Sequence, residues 1–305
     1  MTHDTRRKTH DSMNQSFDPK IILLTGTSSG FGLLTAARLA ASGHRIFATM
    51  RDLRKKEALF EEVKRRGGKV SVLALDVTDR NSIRSVVDFI SDQVGYLDVL
   101  VNNAGYGLGG FFEDLTEEEI RQQMETNFFG VQNMIRAAVP LMRPRRRGKI
   151  INISSLAGIH ATPGLGAYNA SKWALEGFSE SLRYELKLFG IDVLLVEPGT
   201  YRTKIFYDNA RYGKNFSNPE SPYFTASHFL LRKVKTSVGR CTKNPENVAA
   251  LVEKLIAAKN PPFRNMPDQE GWMIYSLRRI LPFRAYSWIM RKVLFDGFKP
   301  AGKPA

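Results

Sequence analysis

Short apolar runs and segments of helical periodicity alternate along most of the chain. The runs at 20–25, 44–50, 69–75, 97–101, 148–154 and 191–196 have the length and flanking punctuation of buried strands. Between them, residues 31–41, 53–66, 80–94, 117–143 and 167–189 repeat apolar side chains every three or four positions. Ala167, Ala170, Ala174, Phe178, Leu182 and Leu186 form one such stripe. Parallel strands are apolar on both faces and need a crossover helix between them, so this alternation predicts an α/β fold with helices on both faces of a parallel sheet.

The pattern changes after Thr203. Up to Cys241 it is irregular and aromatic, with Phe206, Tyr207, Tyr212, Phe216, Tyr223, Phe224 and Phe229. Residues 245–258 predict a helix with Asn244 as N-cap, and 262–267 an edge strand. Residues 268–305 interleave aromatic and aliphatic side chains with Arg278, Arg279, Arg284, Arg291 and Lys292, and Pro282 splits them into two short amphipathic helices. Trp and Tyr beside Arg and Lys is the composition of a helix lying at a membrane interface, and equally of an extension packed on the body. Residues 1–18 are expected to be a disordered polar tail and 19–267 a single domain, with its aromatic segment at 201–241.

Composition narrows the choices. At 305 residues, a chain of this hydrophobic content can bury a sizeable core. Cys241 is the single cysteine, so no internal disulfide forms, which fits a reducing compartment. No apolar run reaches a membrane-spanning length and no signal-type apolar segment precedes residue 20, so a cytoplasmic location is expected, with peripheral membrane binding open. The net charge of +15 suits an anionic membrane, an anionic cofactor or simple solubility. No helix-turn-helix, zinc-finger or RNP pattern accompanies it, so no nucleic acid is expected. No metal site is expected either.

The candidate chemistry centres on Ser155, Tyr168 and Lys172. Tyr168 and Lys172 are i and i+4 on one predicted helix, so they share a face. An ammonium one turn away is expected to lower the phenol's pKa, and a tuned tyrosine exchanges a proton with a carbonyl or alcohol oxygen that a serine can hold. A lone Tyr-x-x-x-Lys also arises by chance. Gly26, Gly30 and Gly32 lie between a strand and a helix, where free backbone amides bind phosphate, although an ordinary tight turn has the same look. No P-loop lysine is present, which argues against an ATPase. The second strand ends in Met50, Arg51 and Asp52. Met50 occupies the slot where an acid would grip a ribose 2′-hydroxyl, and the adjacent Arg51 suits a 2′-phosphate, so NADP is favoured over NAD. Asp52 either pairs with Arg51 or caps the next helix. Asp76 and Val77 end the third strand, and Asn102, Asn103, Ala104 and Gly105 the fourth. Asn127 sits mid-helix, where a buried asparagine needs a hydrogen-bond reason.

In this order and spacing, Thr25-Gly26-x-x-x-Gly30-x-Gly32, Asn102-Asn103-Ala104-Gly105, Asn127, Ser155, Tyr168-x-x-x-Lys172 and Pro198-Gly199 resemble the short-chain dehydrogenase/reductase family over residues 20–265. The sequence around residues 47–52 and 171–177 further resembles its retinol dehydrogenase and 17β-hydroxysteroid dehydrogenase branch. The resemblance implies a Rossmann-type doubly wound parallel sheet of about seven strands, here with a C-terminal helical extension. It implies Tyr168 as acid/base, Lys172 lowering its pKa and binding the nicotinamide ribose, Ser155 orienting the substrate oxygen, and Asn127 holding a relay water. It places Gly26, Ser28, Ser29, Gly30, Phe31 and Gly32 at the pyrophosphate, with Arg51 at the 2′-phosphate. Asp76 and Val77 fall at the adenine, Asn103, Ala104 and Gly105 on the ribose side, and Pro198, Gly199 and Thr203 by the nicotinamide. In place of the basic residue common in the glycine turn of NADP-dependent members stand Thr27, Ser28 and Ser29. In the family the segment after Thr203 covers the substrate, so its aromatics imply a bulky apolar substrate of sterol, retinoid or lipid type, with Phe206, Tyr207, His160 and Leu165 as candidate contacts. The same aromatics can instead pack the lid on the body. Family members pair through the helices of Asn127 and Tyr168, which implies a homodimer or homotetramer. The expected function is NADP-dependent interconversion of an alcohol and a carbonyl. The alternative is a non-catalytic NADP-binding regulator or membrane-associated scaffold on the same fold.

Overall fold

A computed structural model describes residues 18–203 and 210–299. In chain order the elements are β1 (Ile21–Thr25), α1 (Gly30–Ala41), β2 (Arg45–Met50), α2 (Glu57–Arg65), β3 (Val70–Ala74), α3 (Arg80–Val94), β4 (Val99–Asn102), β5 (Leu108–Gly109), α4 (Glu117–Met124), α5 (Gly130–Met142), β6 (Gly148–Ile153), α6 (Gly166–Lys187), β7 (Ile191–Val196), β8 (Arg211–Tyr212), α7 (Phe224–Arg240), α8 (Glu246–Ala257), β9 (Arg264–Asn265), α9 (Gln269–Ile280) and α10 (Phe283–Phe295). Seven strands form one parallel sheet in the order β3-β2-β1-β4-β6-β7-β9, and β5 pairs with β8 in a separate two-stranded sheet.

β1 shows why the sheet is doubly wound. All five of its residues are buried, and they alternate between two cores. Ile21 and Leu23 join the α3, α5 and α6 side, against Ile83, Ile90, Met134, Ile135, Leu175 and Leu182. Ile22 and Leu24 join the α1, α2 and α8 side, against Ala36, Ala37, Leu59, Val63, Val248 and Val252. A strand apolar on both faces is stable only between two helical layers. The boundaries have local causes. Asp79 caps α3 by accepting from Asn81 N, and Gly95 ends it in the left-handed region at φ +76°. Thr116 and Glu119 form a capping box on α4. The N-cap position of α8 falls at Pro245, one residue later than the expected Asn244, whose Oδ1 accepts from Glu246 N at 3.0 Å.

Two expectations need correction. The helix expected over 117–143 is interrupted by a π turn at Glu125–Phe129, centred on Asn127. The stretch expected to be irregular up to Cys241 contains the long helix α7. Its buried positions Ser227, Leu230 and Val238 keep helical spacing, but the cations between them hid the stripe.

Candidate active site

The strand order reverses at β1, because the chain winds outward through β2 and β3 on one side and through β4, β6, β7 and β9 on the other. Such a reversal leaves a crevice beyond the carboxyl ends of the central strands, and the glycine turn lies there. Gly26 and Gly30 have φ of +73° and +57°, which a side chain disfavours. A Cβ on Gly32 would fall 2.2 Å from Gly26 O and 2.4 Å from Asn103 Nδ2. The first turn of α1 can therefore present bare backbone to a ligand, with amides that helix geometry leaves without helical acceptors. Phe31 packs edge-to-face on the fully buried Tyr201, with centroids 5.4 Å apart.

Asn103 has a task that the sequence did not suggest. Its Nδ2 donates to Thr25 O and Gly26 O, both at 2.9 Å. Thr25 Oγ1 accepts in return from Asn103 N and Ala104 N, both at 3.0 Å. The two carbonyls lie where β1 runs into the glycine turn. The side chain of Asn103 thus braces the glycine turn.

At the end of β2, Met50 is buried in the core and Arg51 is exposed. Asp52 caps the short turn Leu53–Lys55 and pairs with Arg54 at 2.8 Å, which decides between the roles left open for it. Asp76 Oδ1 accepts from Thr78 N at 2.9 Å and Thr78 Oγ1 at 2.7 Å. Val77 points into the core, where a Cβ on Gly130 would meet it at 2.8 Å, so its backbone is what it can offer a ligand. Pro198 O accepts from Leu156 N at 3.1 Å, and Gly199 packs close to the Leu156 side chain. A methyl group on Gly30 would lie 3.8 Å from Thr203 Cβ, so the segment after β7 reaches over the glycine turn.

Ser155, Tyr168 and Lys172 come together at the carboxyl end of β6. Ser155 Oγ accepts from Ala157 N at 3.1 Å, donates to Pro198 O at 3.5 Å and stands near enough to the Tyr168 hydroxyl to favour its phenolate. Lys172 is buried, with Nζ donating to Ile153 O at 2.9 Å and lying 5.9 Å from the Tyr168 ring centroid. Burial raises the Tyr168 phenol above its ordinary value, against the opposing bond from Ser155. Burial also lowers Lys172 to about 8, against the field of Glu176. The sequence led to the expectation of a phenol lowered by Lys172; here the direction is upward, and its first cause is desolvation.

Asn127 accepts from Tyr106 N at 3.1 Å and donates to Tyr106 O at 2.9 Å and Ser171 Oγ at 3.2 Å. These bonds are the reason a buried asparagine stands mid-helix, and they fasten the loop after β4 to α6. A Cβ on Gly105 would fall 3.1 Å from Asn127 Oδ1 and 4.0 Å from Lys172 Nζ, so the loop passes close to both. The π turn widens the helix at this point, a local change common at functional sites.

A cluster missed in the sequence lies behind Lys172. Glu176, one turn further along α6, and Glu197, fully buried at the end of β7, both pair with Arg264 on β9; the Arg264–Glu197 distance is 2.6 Å. Burial raises both carboxyls, and the charge of Glu176 raises Glu197 further. The Lys172–Glu176 spacing of four was a readable signal; the arrival of Arg264 was not.

On the substrate side, Leu165 precedes α6 and accepts from Asn169 N at 2.8 Å. His160 Nδ1 is buried without a hydrogen-bond partner among the described residues, and burial lowers its pKa. Phe206 and Tyr207 lie outside the described residues. Tyr212 packs on Phe216 and Tyr223 stacks on Phe111, with centroids 4.6 and 4.7 Å apart, so these aromatics serve packing within the lid and body.

The glycine floor, the helix N-terminus and the exposed Arg51 fit a dinucleotide. A short chain dehydrogenase profile matches residues 20–211. The chain is 42% identical to a 3-ketodihydrosphingosine reductase from Bacteroides thetaiotaomicron, over 89% of this chain and 93% of that protein. It is 37% identical to human retinol dehydrogenase 8, over 82% of each chain. A short-chain dehydrogenase structure from Streptomyces avermitilis superposes with a TM-score of 0.73 at 31% identity, covering 92% of this chain and 97% of that one. Similar folds have been solved with NAD and with NADP. The brace, the glycine turn and the Ser155–Tyr168–Lys172 group thus stand within a likeness that runs nearly the length of the molecule, and the chain belongs to the short-chain dehydrogenase/reductase family of oxidoreductases.

Proposed function

We propose that the protein is an NADP-dependent carbonyl reductase or alcohol dehydrogenase acting on a bulky, largely apolar substrate. The observation that carries this reading is the meeting of Ser155, Tyr168 and Lys172 at the carboxyl end of β6, against the loop after β4. A nicotinamide bound there supplies or takes up the hydride. Ser155 holds the substrate oxygen, and Tyr168 gives that oxygen its phenolic proton in reduction or removes it in oxidation. A charged Lys172 favours the phenolate so formed, and Asn127 keeps the loop beside Lys172 in place. For the cofactor, exposed Arg51 favours a 2′-phosphate, since the nearby acid Asp52 is engaged by Arg54. For the substrate, relatives named for a long-chain sphingoid ketone and for retinol favour a long apolar chain bearing one oxygen function. His160 Nδ1 would suit a second polar group on it.

The test is NADPH-linked turnover of apolar ketones and aldehydes, including a 3-keto sphingoid base and retinal. Tyr168→Phe should bind NADPH as the wild type does and lose about 10²–10⁴-fold in kcat, the usual reach of a general acid. If wild type and Tyr168→Phe are equally inactive on every carbonyl while NADPH still binds, the molecule is a nucleotide-binding regulator. Pairing through the helices of Asn127 and Tyr168 belongs to the same proposal; Phe129, Trp173 and Tyr184 on those helices are exposed.

A further inference from the structure

From Trp272 to Phe295 the chain contains no Asp or Glu, while Arg278, Arg279, Arg284, Arg291 and Lys292 all fall there. α7 is also free of acids and carries Arg232, Lys233, Lys235 and Arg240. The two stretches form one wall. Lys233 Nζ donates to Val293 O at 2.6 Å and Leu294 O at 3.3 Å, capping the end of α10, and Phe229 packs on Phe298 at 5.2 Å. The inner side is anchored. Tyr286 is buried, and Ile274 and Tyr275 of α9 pack on Leu156 and Ile159 in the loop that follows Ser155.

The outer side is apolar and uncovered among the described residues. Ile280 is 78% exposed, Phe283 65% and Trp288 59%, with Met273, Leu277 and Val293 also exposed. Met273, Leu277 and Ile280 recur at i, i+4 and i+7, so they share one face of α9. Cations rest on the aromatic rings: Lys292 Nζ lies 4.1 Å from the Trp288 ring centre, and Arg278 lies 5.3 Å from those of both Phe283 and Tyr286. Apolar side chains flanked by cations whose stems lie along rings are built for a boundary between hydrocarbon and negative charge. Neither helix can cross a membrane; no described helix is long and apolar enough. A second copy fits poorly, because a twofold contact would press this acid-free basic face against itself.

We infer that α9 and α10 dock on an anionic lipid membrane. Arg279, Arg284, Arg291 and Lys292 meet the headgroups, while Met273, Ile280, Phe283 and Trp288 enter the acyl boundary. The inference does not depend on the proposed reaction. It also places the loop after Ser155 beside the bilayer, within reach of membrane-dissolved substrates.

The test is co-sedimentation of the full chain with phosphatidylcholine vesicles, with and without phosphatidylglycerol, at low and high salt. Binding should require the anionic lipid and weaken at least tenfold in high salt. Arg284→Glu/Arg291→Glu and Ile280→Asp/Phe283→Asp should each weaken it at least tenfold at an unchanged melting temperature. If a variant fails to fold, the lipid and salt dependence of the wild type still decides. Absence of binding to anionic vesicles, or equal binding to neutral ones, overturns the inference. So does light scattering that shows an oligomer which Ile280→Asp/Phe283→Asp splits, because the ridge is then a subunit contact.

Discussion

Lys172 Nζ donates to the backbone oxygen of Ile153, the last residue of β6, at 2.9 Å. The bond fixes the ammonium at the sheet's carboxyl edge, where burial lowers its pKa to about 8. In the unfolded chain a lysine titrates near ~10.4. Between those values the unfolded chain holds more protons, so this group makes stability rise with pH, and its cost is fully present below about 8. Lys172→Met should abolish turnover, flatten that rise and gain up to about 3 kcal/mol at neutral pH, less the lost bond to Ile153. Urea unfolding of both proteins across this range checks it, and a variant with an unchanged pH slope would refute the account.

Asn103→Leu removes the brace while keeping side-chain bulk. Thr25 O and Gly26 O then lose their donor, at a cost of about 1–3 kcal/mol. NADPH affinity should fall as well, although the side chain need not touch the nucleotide. Denaturant midpoints and a nucleotide titration give the two readings.

Arg51→Ala should weaken NADPH about tenfold to a hundredfold, the range of one lost charge-assisted contact, and leave NADH unchanged. Thermal shift with each nucleotide measures the difference, because a ligand confined to the folded state raises its apparent stability. Equal losses for both nucleotides would remove Arg51 from the phosphate site.

Arg264→Met leaves Glu176 and Glu197 buried without their shared cation and should cost about 3–5 kcal/mol. Adding Glu197→Gln should recover part of this. Burial raises the Glu197 carboxyl above its ordinary value, so in the wild type this group's contribution to stability falls as pH rises from the carboxylate range through the raised value. Glu197→Gln alone should remove that decline in a series of unfolding curves.

What could be read from the sequence was local. Tyr168 and Lys172 share a helix face because they are four residues apart, and Asn244 bonds the first residue of α8 because that partner is two residues on. The alternation of strand and helix led to the sheet by the same short-range logic. Features that join distant segments were hidden. The bracing role of Asn103 could not be read, because its acceptors lie 77 and 78 residues earlier. Arg264 reaches Glu176 across 88 residues, and no spacing announces it. Val77 follows β3 where a ligand contact is expected, and its side chain turns to the core because Gly130 opens a space for it. The upward direction of the Tyr168 phenol could not be read locally either, since its first cause is burial by the whole fold.

The position of β1 between β2 and β4 has a consequence for how the molecule is made. Helices can form early, from neighbours in sequence. The glycine turn is braced only when a strand ending at Asn102 has closed on one ending at Thr25, and Ser155 and Thr203 arrive from further still. Contacts of such long separation form late, because loop closure precedes any reward. During refolding, far-ultraviolet ellipticity should therefore return before nucleotide binding, and the regain of binding would time the closing of the sheet.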